Sequence, residues 1–257
     1  MSRRHVSFAC EGATLVGTLD SADGSTGLLL VSGGNELRSG AWAGQALLAA
    51  RIAEAGHPVF RFDRRGVGDS EGVNGGFRSN APDIAAALAA FRAEQPGLTR
   101  VVGFGNCDGA SALMLAKGAE LDALALSNPW TIESDDAPPP PEAIRDHYKR
   151  RVSDPAALLR LLTGKVSPGK LIASLRDALR KPPPPSTLAQ DMAAGIAGFA
   201  GPIRFLVAER DRTAQAFIAA WDKADTRIRR CREATHSYVE TSARDWLADH
   251  LIEMLRA

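Results

Sequence analysis

Residues 100–112 read RVVGFGNCDGASA, and the organisation of the whole chain can be read outward from them. The first five residues, which are apolar after Arg100, form a run of the kind found in a strand that is buried on both faces. Small and apolar residues at helical spacing follow over residues 110–116. Between the two, Gly105-x-Cys107-x-Gly109 predicts a sharp strand-to-helix turn with a cysteine at its apex. Such a turn leaves room only for small residues two positions before and two positions after the apex.

The same alternation of strand and helix extends in both directions from this turn. An early stretch, residues 14–19, alternates apolar and polar side chains and predicts an antiparallel strand. Further strands are predicted at residues 27–31, 58–62, 124–126, 202–207 and 226–232, and helices at residues 42–55, 82–91, 213–220 and 243–255. This order predicts an α/β protein with a mainly parallel central sheet flanked by helices.

The alternation stops between residues 129 and 198. This segment holds two proline runs and two stretches of helical pattern, and it has no strand-like run. We predict that residues 129–198 form a helical cap, inserted into a core made of residues 1–128 and 199–257. A disordered linker is the alternative reading, because prolines and basic residues also suit one.

The composition limits the class of function. The chain has 257 residues, 45% of them hydrophobic, and its 31 Lys and Arg residues balance 30 Asp and Glu residues. A nucleic-acid partner is therefore not expected, because phosphate binding needs a basic surplus. No apolar run reaches the ~20 residues of a membrane span, and no signal peptide is recognised at the N-terminus. Three cysteines without metal-ligand spacing favour a reducing, cytoplasmic location and no metal site.

Cys107 is the candidate nucleophile. The dipole of a helix that begins at the turn favours a thiolate, and the backbone N–H of Asp108 is placed to stabilise an oxyanion. A buried, unreactive cysteine is the alternative. A dinucleotide site is disfavoured, because the last glycine is one position too far for Gly-x-Gly-x-x-Gly and no acidic residue ends the next strand.

A cysteine nucleophile needs a base and a residue that orients the base. Of the five histidines, His236 alone lies in a loop after the last predicted strand, so it is the candidate base. The acid should follow the preceding strand. Asp211 is the first candidate there, and Glu209 is the alternative.

Three further groups of residues are candidates for the site. Backbone N–H groups of Gly34 and Asn35, in the loop after the strand at residues 27–31, are expected as further oxyanion donors. The segment 63–70, DRRGVGDS, is expected to brace a loop rather than to bind an anion. The substrate-binding candidates around the expected cap are Trp130, His147 and Tyr148.

Together these residues resemble the α/β-hydrolase superfamily, over nearly the whole chain except the expected cap. They are most similar to the hydrolases encoded with bacterial exosortase A systems. The stretches that carry this closer resemblance are residues 32–40, SGGNELRSG; 62–72, FDRRGVGDSEG; 106–111, NCDGAS; and 128–130, NPW. The resemblance implies a cysteine at the turn and an association with exopolysaccharide production. It implies no particular substrate.

The residues and the resemblance together lead us to expect a hydrolase that cleaves an ester or thioester. Cys107, His236 and Asp211 would form a catalytic triad with a covalent acyl-enzyme and no cofactor. The expected substrate is a small molecule or an acyl group on a carrier, and the oligomeric state stays open. An acyltransferase with the same triad and a non-catalytic binding protein of the same fold are the alternatives.

Overall fold

A computed structural model describes residues 2–133 and 186–257, and in them the chain forms one eight-stranded sheet. The strands are β1 (Arg3–Cys10), β2 (Ala13–Asp20), β3 (Thr26–Val31), β4 (Val59–Phe62), β5 (Arg100–Asn106), β6 (Ala123–Ser127), β7 (Ile203–Ala208) and β8 (Ile228–Cys231). The helices are α1 (Gly44–Glu54), α2 (Ala81–Glu94), α3 (Asp108–Leu115), α4 (Thr187–Ala197), α5 (Arg212–Ala220) and α6 (Thr241–Arg256).

The strands lie in the order β1-β2-β4-β3-β5-β6-β7-β8. β2 pairs antiparallel with both of its neighbours, and the pairs from β4 to β8 are parallel. The parallel strands therefore end at one edge of the sheet, and the loops that leave this edge carry Cys107, Asp211 and His236. The predicted α/β fold with a mainly parallel sheet is confirmed.

Helices cover both faces of the sheet because each inner strand is apolar on both sides. Leu29 and Val31 of β3 belong to a core under α2, α3, α4 and α5, whereas Leu28 and Leu30 belong to a core under α1 and α6. This alternation along a single strand explains why the buried strands appear in the sequence as continuous apolar runs.

The first strand was not predicted. Residues 3–10 begin with Arg3, Arg4 and His5, and most side chains of β1 are at least partly exposed, so no apolar run marks the strand. β1 lies at the edge of the sheet, where it pairs with β2 along its whole length. His5 therefore lies within the sheet, opposite Thr18 of β2.

The segment 129–198 contributes at least one helix to the core. α4 buries Leu188, Met192 and Ile196 in the same apolar cluster as Leu113 and Met114 of α3. Residues 134–185, with both proline runs and the two stretches of helical pattern, lie outside the described residues, so a cap stays a prediction for them. Across residues 2–133 and 186–257, no helix combines the length and the apolar character that crossing a bilayer requires.

The segment 63–70 braces the loop that follows β3. Asp63 is fully buried, accepts from the backbone N–H of Arg38 at 2.6 Å and forms an ion pair with its guanidinium group. Ser70 donates to the Asp63 carbonyl at 2.7 Å, and Arg65 binds Asp83 at 2.5 Å. These contacts agree with the structural role expected for this segment.

Candidate active site

Cys107 occupies a strained turn between β5 and α3. Its φ of 59° and ψ of −129° lie in a region that a residue with a side chain rarely adopts. A Cβ at Gly105 would lie 2.6 Å from the Ala110 nitrogen, and one at Gly109 would lie 2.4 Å from the Val31 carbonyl oxygen. Both glycines are thus required by close packing, which is the physical reason for the Gly-x-Cys-x-Gly spacing.

His236 and Asp211 meet at the same edge of the sheet as Cys107. The His236 Nδ1 lies 2.9 Å from Asp211 Oδ2, and the Asp211 side chain is 7% exposed. Asp211 also caps α5 by accepting from the N–H groups of Thr213 at 3.2 Å and Ala214 at 3.0 Å. The helix N-terminus therefore fixes the carboxylate in the orientation in which it meets the imidazole.

The carboxylate of Glu209, the alternative acid, is directed toward Arg230. Its carboxylate lies 3.9 Å from the Arg230 guanidinium, and its backbone N–H donates to the Cys231 carbonyl at 3.0 Å. The structure thus brings Asp211, and not Glu209, to the histidine.

The imidazole of His236 is strongly biased toward its protonated form. A hydrogen bond to Asp211, followed by one to Cys107, raises the pKa of His236 from 6.5 to about 10, against a smaller opposing effect of burial. An imidazolium beside a cysteine is the arrangement that stabilises a thiolate nucleophile.

A polar network that the sequence patterns do not predict holds the loop of His236. The Asn106 and Asn128 Nδ2 groups both donate to the His236 carbonyl, at 3.3 and 3.4 Å. Asn128 also donates to Asn106 at 3.0 Å and accepts from the Ala208 N–H at 2.8 Å. Ser127 links Asn106 to the Tyr238 hydroxyl, with both distances 2.9 Å. The sequence signal for this network was the presence of polar residues at the ends of two buried strands, Asn106 in β5 and Ser127 and Asn128 at the end of β6.

The loop of Gly34 and Asn35, which is expected to bind the oxyanion, differs from the prediction in one contact. The Gly34 N–H, a predicted oxyanion donor, donates instead to the Asp108 carboxylate at 2.5 Å. A Cβ at Gly33 would lie 3.1 Å from both this carboxylate and the Cys107 Cβ, so the glycine lets the loop approach the turn. The side chain of Asn35 accepts from Asn74 at 2.8 Å. Burial raises the pKa of Asp108, although the charges of Arg64 and His236 oppose this effect.

The other candidate residues are only partly described. Trp130 is half-buried, and its backbone N–H donates to the Cys107 carbonyl at 3.3 Å and to Ser111 at 2.8 Å. His147 and Tyr148 lie outside the described residues. Within the part of the chain that the structure describes, no group of three or more His, Cys, Asp or Glu side chains is arranged to hold a metal ion.

Comparison with known proteins identifies the class. Residues 28–250 match the sequence profile of a family described as the alpha/beta hydrolase family. This match spans most of the chain and includes Cys107, Asp211 and His236. The chain therefore belongs to the alpha/beta hydrolase family and is a hydrolase. A comparison with curated proteins finds no match.

Solved structures show the same fold at low sequence identity. The Pyrococcus furiosus esterase Pf2001 has 15% identity and a TM-score of 0.61, with 99% of this chain and 90% of that chain covered. The alpha/beta hydrolase GrgF from Penicillium sp. sh18 has 17% identity and a TM-score of 0.66, with 100% and 98% covered. A thioesterase domain from the curacin biosynthetic pathway has 13% identity and a TM-score of 0.56, with each chain fully (100%) covered.

Proposed function

We propose that the protein hydrolyses an ester or a thioester through an acyl-enzyme on Cys107. The observation that carries this proposal is the contact of His236 with Asp211 at 2.9 Å on one side and with Cys107 on the other. A base that contacts the nucleophile on one side and an orienting acid on the other is the arrangement that this type of acyl transfer requires.

In the first half of the reaction, the Cys107 Sγ attacks the substrate carbonyl carbon as a thiolate. A carbon–sulfur bond forms, and the negative charge moves to the carbonyl oxygen. When the tetrahedral intermediate collapses, the bond to the leaving oxygen or sulfur breaks and His236 gives its proton to that atom. Asp211 holds the imidazole in the required orientation and stabilises its charge throughout.

In the second half, the neutral His236 accepts a proton from a water molecule, whose oxygen attacks the thioester carbonyl. The carbon–sulfur bond then breaks, the carboxylic acid leaves, and the Cys107 thiolate and the His236 imidazolium are restored. The Asp108 N–H lies in the first turn of α3, where backbone N–H groups have no acceptor within the helix, so it is available to the oxyanion. Gly34 joins it once its N–H is released by the Asp108 carboxylate, and Asn35 is the further candidate donor.

We also propose that the chain belongs to the exosortase-A-associated branch and works in the reducing cytoplasm. Support comes from the contacts among the stretches that carry the resemblance, which include Arg38 with Asp63 and Asn106 with Asn128. Stretches that are far apart in the sequence thus build one site. Cys10, Cys107 and Cys231 are free thiols, as expected in a reducing compartment.

Alkylation of Cys107 by iodoacetamide, followed against pH by peptide mass spectrometry, tests the thiolate–imidazolium pair. We expect fast labelling down to pH 6–7 that His236→Ala abolishes. His250→Ala is the matched control, and the buried Cys10 and Cys231 are internal references. Slow labelling of Cys107 that is equal in wild type and His236→Ala would contradict the proposal.

Hydrolysis of a panel of esters and thioesters tests the reaction itself. We expect activity in the wild type and its loss in Cys107→Ala, and addition of an alcohol or amine acceptor separates hydrolysis from acyl transfer. Activity that survives in Cys107→Ala would overturn the covalent mechanism.

A further inference from the structure

A cavity of about 290 Å³ lies between α1 and α6, beneath the loop that carries His236. Phe104, Leu48, Leu247 and Tyr238 supply large apolar and aromatic surfaces to its walls. Trp42, just before α1, and Leu47, in α1, also line the cavity. The cavity is therefore mainly a hydrophobic space, and it lies on the sheet face opposite α3 and α4.

The cavity adjoins the proposed reaction centre. Asn106 and Ser237 line it, and they are the chain neighbours of Cys107 and His236. The Asn106 side chain also donates to the His236 carbonyl at 3.3 Å, so this wall of the cavity is shared with the triad. Glu36, a further lining residue, interacts electrostatically with His236 and with Asp108, so the cavity and the triad are close neighbours.

Two large apolar side chains at the cavity are exposed to solvent, both on the α1 side. Trp42 is 40% exposed and Leu47 is 53% exposed. Exposed apolar side chains that cluster at a concave surface mark a binding site more often than scattered ones do.

The backbone is strained at the point where it presents Trp42. Trp42 and Ala43 both have left-handed φ values, 48° and 62°, although neither is a glycine. A Cβ on Gly44 would lie 2.8 Å from the indole, so the glycine allows the ring to fold back, and the Arg244 guanidinium carbon lies 5.3 Å from the ring centre. Such strain persists where the surrounding structure imposes it, and it is concentrated at functional sites.

We propose that this cavity binds the apolar alkyl or aryl group of the substrate while the reacting carbonyl lies at Cys107. This proposal rests on the proposed function and names its substrate class. At ~30 Å³ per water-sized group, the volume accommodates about eight to ten such groups, which corresponds to a medium-length chain. Burial raises the pKa of the Glu36 carboxyl, which lines the cavity.

The size of the cavity argues for a small molecule. A stable protein partner buries roughly 800 Å² on each side of an interface, whereas this cavity is a small space bordered by α1, α6, the segments that precede these helices and the end of β5. Its apolar walls and the few polar groups near the triad are typical of a small-molecule pocket.

Two series of substrates test the proposal and show which side of the scissile bond enters the cavity. One series is methyl esters of acids from two to ten carbons, and the other is acetate esters of alcohols from two to ten carbons. We expect kcat/KM to rise by up to about fourfold per buried methylene in one series and to level off near eight carbons. Rates that do not depend on chain length in either series would overturn the proposal.

Three variants locate the effect in the cavity. Leu48→Trp fills the space, so we expect it to remove the advantage of the longer chains. Val73→Trp adds the same ring at an exposed site outside the cavity and should retain the advantage. Should Leu48→Trp not fold, Trp42→Ala removes a wall at an exposed position and should also reduce the advantage. Equal chain-length profiles in Val73→Trp and the cavity variants would overturn the proposal.

Binding to an inactive protein separates this proposal from the reaction mechanism. Cys107→Ala is titrated calorimetrically with methyl octanoate and with octyl acetate. Binding that Leu48→Trp or Trp42→Ala weakens at least tenfold supports the cavity even where no ester is hydrolysed. Absent binding, or binding that these variants leave unchanged, overturns it. A wild-type protein that hydrolyses none of these esters, although Cys107→Ala binds them in the cavity, would count against the acyl-enzyme mechanism alone.

Discussion

Two regions beside Cys107, the loop of His236 and the loop of Gly34, differ in how far their hydrogen bonds already suit the proposed reaction. On one side, His236 is held by Asp211 at 2.9 Å and by two asparagine side chains at its carbonyl. On the other side, the Gly34 N–H is already bonded to the Asp108 carboxylate at 2.5 Å. The groups proposed to activate the nucleophile are thus in place, whereas one group proposed to receive the oxyanion is occupied. The difference suggests that activation is built into the fold and that oxyanion binding requires a local exchange of hydrogen bonds.

The largest effect on kcat is expected from a substitution of Asp211, the acid that contacts His236. Asp211→Asn keeps an N-cap for α5 but loses the charge that orients and stabilises the imidazolium, so kcat should fall roughly 10³–10⁴-fold. Glu209→Gln is the matched control, two residues away and paired with Arg230, and should stay near wild type. Steady-state kinetics of both variants decide the point, and equal losses would show that the acid has been misassigned.

The second-largest effect is expected from a substitution in the polar network that holds the His236 carbonyl. Asn128→Ala removes the group that accepts from the Ala208 N–H and that holds the His236 carbonyl, so we expect a loss of about 1–3 kcal/mol of unfolding free energy. Misplacement of His236 should also lower kcat, by up to about 100-fold. Asn80→Ala, at a buried asparagine at the start of α2, is the control that should lower stability alone. Unchanged kcat in folded Asn128→Ala would make the network purely structural.

A smaller effect of opposite sign, an increase in kcat/KM, is expected at the Gly34 loop. Asp108→Ser shortens the side chain that engages the Gly34 N–H and removes a negative charge beside the oxyanion. Since one hydrogen bond is worth about 0.5–1.5 kcal/mol, kcat/KM should rise about two- to tenfold. Asp23→Ser, at an exposed acid near β3, controls for the change in net charge. A fall in kcat/KM would instead make Asp108 a residue that positions the loop.

The smallest effect concerns stability against pH. The pKa of His236 is raised from 6.5 to about 10, so the protonated imidazole stabilises the folded state. This contribution is complete below pH 6.5 and disappears as the pH rises toward 10. The difference in unfolding free energy between wild type and Asp211→Asn should therefore be largest near pH 6 and should shrink by pH 10. Because His236 is 36% exposed, we expect about 1 kcal/mol or less.

Chemical denaturation at several pH values measures this difference. Glu209→Gln should show no comparable trend between pH 6 and pH 10. A wild-type advantage over Asp211→Asn that is constant or grows with pH would contradict a stabilising His236–Asp211 pair.

Much of the fold was accessible from the sequence because its signals are local. β5, the turn at Cys107 and α3 follow from an apolar run, two glycines and a helical pattern within 17 residues, 100–116. The placement of His236 and Asp211 followed from the order of the elements, since the loops after parallel strands meet at one edge of the sheet. The edge strand β1 gave no comparable signal, because an exposed strand needs no continuous apolar run.

The sequence by itself therefore determined the class of fold, the turn that presents Cys107 and the short set of residues from which a triad can be built. Tertiary structure brought Asp211 rather than Glu209 to His236, tied Asn106 and Asn128 to the His236 carbonyl and placed the Asp108 carboxylate on the Gly34 N–H. It also opened the cavity between α1 and α6. The physical reason is range: patterns of burial and turn geometry act between near neighbours, whereas a hydrogen bond such as that from Asn106 to His236 joins residues 130 positions apart.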